Sequence, residues 1–159
     1  MKKILIFILI SIWVMSCSDS ILDTPGMKIV GVYINDDRID YSDQLESLPL
    51  LTVGDEVDIL FILDGNGDDL KTFVAQSDDS KVKTSMFFRI DEVSDEFSDL
   101  SHGILGFVDN VTQTGLTVKA TVNGIFDKKV KLSFYLFSKS PGSEGAFIEV
   151  MLSTGTEES

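Results

Sequence analysis

The sequence predicts an all-β domain, an antiparallel β-sandwich of about 7–8 strands with one or two short helical turns. Three observations predict it. Residues 17–159 hold 13 Val, 10 Ile and 10 Thr against only 3 Ala; β-branched residues suit a pleated sheet, whereas alanine is the best helix former. Apolar and polar residues alternate with period two in several stretches, the pattern of a strand with one wet face. Clusters of Asn, Asp, Gly and Pro separate those stretches at short intervals, where a turn needs positive φ or a fixed proline angle.

At the start of the chain, Lys2 and Lys3 precede an apolar run from Ile4 to Met15 that only Ser11 interrupts. A bilayer span takes about 20 residues at helical rise, so this run is too short for one. Two cations ahead of a short apolar stretch are the arrangement of an export signal, here residues 1–16. The other reading, a buried N-terminal helix or strand, would need neighbours covering Ile, Leu, Phe and Trp on every side. Residues 17–26 are mostly polar around Ile21-Leu22, end at Pro25-Gly26, and read as a tether.

Residues 27–152 are the domain. Strand candidates in order are 28–34, 57–63, 70–76, 82–90, 104–108, 116–122, 130–138 and 146–152. The segment Val57 to Leu63 is almost wholly apolar and should be a central strand. In 82–90, Val82, Met86, Phe88 and Ile90 share a face opposite Lys83, Ser85 and Arg89. Leu116 to Val122 alternates without error, and Val130, Leu132, Phe134 and Leu136 face inward with Lys131 and Ser133 outside. Turns fall at Asn35-Asp36-Asp37, at Asp64-Gly65-Asn66-Gly67 and at Ser140-Pro141-Gly142, the last joining the final two strands as a hairpin. Asn123-Gly124 suits either a hairpin or a bulge. Tyr41, Leu45 and Leu48, and likewise Val93, Phe97 and Leu100, recur at helical spacing and predict one or two turns of helix each. Residues 153–159 read as a frayed tail. The number and spacing of the strands fit an immunoglobulin-like sandwich, without the Cys–Trp–Cys pattern of antibody domains.

Val14-Met15-Ser16-Cys17 resembles the lipobox of bacterial lipoproteins, with Val14 three places before the cysteine, Ser16 directly before it, and Met15 where a smaller residue is usual. The resemblance implies that the Cys17 thiol takes a diacylglycerol, that a peptidase cuts before Cys17, and that the new amine is acylated. Two or more acyl chains anchor stably where one holds only weakly. Ordinary cleavage near Ser16 or Ser18, giving a soluble periplasmic or secreted protein, is the alternative. The Ser-Cys-Ser-Asp junction resembles lipoproteins of gut Bacteroidota, which implies an outer-membrane lipoprotein in the cell envelope, facing either the periplasm or the surface. Gly54 to Ile59 followed by Leu70 to Phe73 resembles the early strands of small immunoglobulin-like lipoproteins of Bacteroidota. Many of those belong to families of unknown function, so this resemblance implies a fold and no activity.

Charge and composition exclude several classes. Without Lys2 and Lys3, 26 acidic residues face 11 basic ones, a net charge of −15. Such a chain repels nucleic acid and anionic headgroups, which bind through Lys and Arg. One cysteine allows neither an internal disulfide nor a multi-cysteine zinc site. The single histidine, His102, leaves no His-rich metal site and reads as a solvated loop residue. Gly65-Asn66-Gly67 lacks the Lys-Ser/Thr ending of a phosphate cradle.

Asp64, Asn66, Asp68 and Asp69 place oxygens at nearly alternate positions of a turn, as calcium loops do. The loop departs from an EF-hand at Asp69, where glycine is needed, and at Ala75, where glutamate is. The competing reading is a turn in which Gly supplies positive φ and Asp caps the backbone. Asp36-Asp37 with Asp40, and Asp95-Glu96 with Asp99, read as solvated faces. No cofactor is expected beyond such a calcium ion. A sugar platform favours exposed Trp or Tyr; Trp13 lies in the signal, and Tyr135 beside Phe137 is expected to pack under a loop or a second sheet, so glycan binding has no support.

The function read from the sequence is therefore a non-catalytic, lipid-anchored binding or structural module, meeting an envelope protein by strand addition at a free sheet edge. A calcium-dependent adhesion or ligand-binding domain is the alternative, and a small hydrolase with paired carboxylates the more distant one.

Overall fold

A computed structural model describes residues 24–155. Cys17, with the expected signal and most of the expected tether, lies outside the described residues. Eight strands form two four-stranded antiparallel sheets: β1 (Gly26–Ile34), β2 (Glu56–Asp64), β6 (Gln113–Val122) and β4 (Val82–Phe87) in that order, and β5 (Ile104–Gly106), β3 (Leu70–Ser77), β7 (Val130–Ser138) and β8 (Ala146–Leu152) in the other. Apart from β5, this is the strand order of a seven-stranded immunoglobulin sandwich, with β5 added beside β3. Every strand expected from the alternation is present, and β2 is central between β1 and β6.

The inward residues of the two sheets make one core. Phe61 of the first sheet lies 5.5 Å from Phe73 and 4.8 Å from Phe134 of the second, ring centre to ring centre. Val57, Ile59, Leu63, Val118 and Val122 from one side meet Leu70, Leu105, Leu132 and Leu136 from the other, all fully buried. Each such side chain contributes about 1.5–3 kcal/mol on leaving water.

Strand 82–90 is shorter than its alternation predicts. Pairing with β6 ends at Phe87, and Ile90, expected on the inward face, is 84% exposed at the start of a 3-10 turn, although Phe88 still packs on the core. The two helical segments are 3-10 turns instead: Ser42–Gln44, and then Ile90–Glu92, Asp95–Phe97 and Leu100–His102. Extended residues Val93 and Ser98 break up the second segment because it pairs with β5: the Ser94 amide donates to the Gly106 carbonyl (2.9 Å), and the amides of Asp99 and Ile104 each donate to the other's carbonyl. Of Val93, Phe97 and Leu100, only Val93 packs on the core.

Ser140 to Ser143 turn β7 into β8, as expected for the hairpin. Asn123-Gly124 makes neither hairpin nor bulge. It opens the crossing from β6 in one sheet to β7 in the other, with the Asn123 amide on the Lys81 carbonyl at 2.7 Å. Of the tail expected to fray, 153–159, only 153–155 are described, and these are tied down: Leu51 bonds Ser153 and Gly155, and Thr154 Oγ1 accepts from the Phe126 amide at 2.9 Å.

The molecule's own loops engage most sheet edges. On β1, Val32 donates to Asp40 Oδ1 and accepts from the Tyr41 amide. The 93–99 segment covers β5, and Leu51 covers the end of β8. β4 differs. Both backbone groups of Val122 go to Gly54 and Asp55 on the far side of β6, so the Lys83–Thr121 pair carries the β4–β6 bonds and the Thr84 N–H and C=O point outward. No loop backbone bonds to Thr84 among the described residues.

Candidate functional site

Outward residues follow from the register. Across the second sheet, Ile104, Val74, Tyr135 and Phe147 stand opposite one another on β5, β3, β7 and β8, a four-strand apolar row. The Tyr135 and Phe147 rings lie 4.8 Å apart, and Phe147 is 49% exposed. Phe137, one row on and opposite Thr72, is also exposed. The expectation that Tyr135 and Phe137 pack beneath a loop or second sheet is thus corrected, because the core sheet lies on the other side of β7.

A groove of about 570 Å³ opens beside this row, with Phe107, Val108 and Phe97 as its apolar wall. The register slips between Leu70 and Thr72, where the bulged strand brings Lys71 to the groove, and the Phe107 amide bonds the Lys71 carbonyl at 3.1 Å. Phe97 is placed by Gly106: a Cβ there would fall 2.6 Å from Phe97 Cβ, so only glycine lets the 94–98 segment lie this close. Ser98 fastens that segment, its Oγ donating to the Ser94 carbonyl and accepting from the Gly106 amide. At the rim, Lys139 Nζ lies 2.5 Å from Asp109 Oδ1 and 3.9 Å from Asp69. The hydrogen bond from Lys139 holds the Asp109 carboxyl below its ordinary value.

A family model described as Domain of unknown function (DUF5035) matches residues 17–154, nearly the whole chain. The chain belongs to this family. No curated protein matches it.

In this DUF5035 chain the Asp64–Asp69 loop serves the turn that carries β2 into β3. Asn66 and Gly67 both have positive φ, and the Asp68 amide returns to the Gly65 carbonyl, as in a type I′ turn. Asp64 accepts from the Asn66 amide (2.8 Å) and from Gln113 Nε2 (3.0 Å); Asn66 donates to the Thr24 carbonyl; Asp69 accepts from the Asn110 amide at 2.8 Å. Among the described residues, no three His, Cys, Asp or Glu side chains converge as a metal site would need. Turn and loop amides thus engage Asp64 and Asp69 of this pattern.

His102 has neighbours that its sequence context did not announce. Its Nδ1 lies 2.7 Å from Asp99 Oδ2 and 3.3 Å from Ser101 Oγ, and Ser101 donates to Asp99 Oδ1 at 2.6 Å. These are the residue types of a nucleophilic triad in another arrangement. A triad sets the carboxylate on one ring nitrogen and the hydroxyl on the other, whereas here both meet Nδ1. The Asp99 side chain also accepts from the His102 amide, which makes it the cap of the Leu100–His102 turn. Hydrogen bonds from Ser101, and then His102, hold the Asp99 carboxyl below its ordinary value.

On the outer face of the first sheet, Lys119 Nζ sits 2.5 Å from Glu56 Oε2 and 3.7 Å from Asp58 Oδ1. The Glu56 hydrogen bond raises the lysine above its usual range. Oδ1 of Asp58 is buried and has no hydrogen bond, so Lys119 meets it by charge alone. This cluster pairs its own charges.

Sequence reasoning missed the groove, whose lining comes from positions 71, 72, 94, 97, 107–109 and 139. The available signal was the run Phe97, Gly106, Phe107, in which a glycine inside an apolar strand marks a close approach.

Proposed function

We propose that this chain is a non-catalytic module of the bacterial cell envelope, anchored to the outer membrane by lipid on Cys17, that binds an envelope protein by strand addition at β4. The lipobox-like Val14 to Cys17 supports the anchor. The open edge of β4 carries the binding reading, because Thr84 offers an unpaired donor and acceptor to an incoming strand. A groove of about 550 Å³ runs beside that edge, between the end of β3 and the 100–103 turn, and Leu100 and Phe87, both more than half exposed, stand near it as apolar anchors. The non-catalytic reading rests on the single histidine and on its use as part of a turn cap.

Two variants test the two halves. Cys17→Ser moves the protein from the membrane fraction to the soluble one without changing its melting temperature; retention in the membrane fraction refutes the anchor. A photo-crosslinker at position 83 in native cells forms an adduct that Thr84→Pro abolishes, since proline removes the outward N–H while an edge strand tolerates its ring. An adduct that survives the proline, or none at all, refutes strand addition at β4.

A further inference from the structure

We propose that the groove between β3 and the 94–97 segment is a binding site for a small apolar carboxylate, its apolar body against Phe97, Phe107 and Val108 and its anionic group on Lys71. The volume, about 570 Å³, lies in the range of small-ligand sites, which pair an apolar interior with a few placed polar groups. Phe97 supplies ring surface that the fold leaves uncovered, being 65% exposed although Gly106 fixes its position.

Charge at the rim selects the sign of the ligand. Lys71, Lys139 and Asp109 line it, and Asp69 stands 3.9 Å from Lys139. Lys139 and Asp109 neutralise each other at 2.5 Å. Lys71 pairs with no carboxylate among the described residues, in a chain with 26 acids and 13 basic residues. An ammonium held in no ion pair beside an apolar cleft complements an anion attached to an apolar body. The chain's net negative charge acts weakly at this range, because the Debye length at physiological salt is about 8 Å. The Thr72 and Ser94 side chains, also on the lining, add hydrogen-bonding groups to the groove.

The inference is independent of strand addition, since the groove's lining shares no residue with β4 or with the groove beside the β4 edge. The probe is 4-phenylbutyrate, titrated calorimetrically into the full chain, with 4-phenylbutylamine and 4-phenylbutanol as the cationic and neutral arms. The acid binds saturably at one site, about tenfold more tightly than the amine, with the alcohol between them. Lys71→Gln weakens the acid about threefold and leaves the alcohol unchanged, and Phe97→Ala weakens all three. Thr84→Pro changes none of these affinities, so failure here and failure of the β4 reading are told apart. Equal affinity for acid and amine, an acid affinity unmoved by Lys71→Gln, or no saturable binding overturns the assignment. Both altered side chains are exposed, and an unchanged melting temperature confirms that each variant is folded.

Discussion

On the outside of the first sheet, Tyr33, Asp58, Lys119 and Ser85 lie in one cross-strand row; on the outside of the second, Ile104, Val74, Tyr135 and Phe147 do. The two rows occupy equivalent places on sheets that share one core. In the first, opposite charges settle one another and water solvates the remainder, the normal state of a wet face. In the second, four strands contribute apolar side chains to one line, and a groove with an unpaired lysine opens beside it. The core accounts for neither difference. Inward residues are chosen by packing, so outward residues are where a sandwich can record what it meets.

The largest expected effect tests whether that second face is free of the core. Phe134→Ala removes the ring that stacks on Phe73 within its own sheet and meets Phe61 of the other, and should cost about 3–5 kcal/mol. Phe147→Ala, half exposed on the outward row, should cost about 1 kcal/mol or less. Urea unfolding of both variants measures the gap. If they cost the same, the outer row is structural and the contrast between the faces disappears.

How legible all this was in the sequence follows from distance along the chain. A strand's period is local, so Leu116 to Val122 and Val130 to Leu136 announced both their conformation and their buried faces. The ends were less visible: Ile90 continues the alternation of 82–90, yet pairing with β6 stops at Phe87 because the chain must turn toward β5. The spacing of Val93, Phe97 and Leu100 suggested a helix, but bonds to β5, which no local pattern encodes, pulled the segment into 3-10 turns. The outward row joins positions 74, 104, 135 and 147, and the groove joins 71, 97, 107 and 139. Both exist only once the register is fixed. Conversely, the acids of the Asp64–Asp69 loop were conspicuous in sequence, and their spacing is met by the amides of a turn. The proposed Cys17 anchor rests on the sequence alone, because Cys17 lies outside the described residues.

Acid provides the finer comparison between the two sides. Asp40 accepts from the amides of Val32 and Ser42 and Asp55 from that of Thr52; the Val32 bond ties the 35–55 loop to the first sheet, the other two close turns within the loop, and together they hold both carboxyls below their ordinary value. Asp99 and Asp109, beside the second sheet, are lowered chiefly by the exposed side chains of Ser101 and Lys139. A carboxyl lowered in the folded state contributes stability that is full above its unfolded value, about 3.9, and is lost as pH falls through the folded one. All four therefore make the protein less stable in acid, with the loss concentrated below about pH 4. Backbone amides are fixed in place, whereas exposed side chains trade partners with water, so the first pair should carry more of the slope. The Asp40→Asn, Asp55→Asn double variant should flatten the fall in melting temperature between pH 5 and pH 3 more than Asp99→Asn, Asp109→Asn does. The reverse order would place the acid-sensitive contacts beside the second sheet, and its surroundings would then share the polar tethering that distinguishes the first.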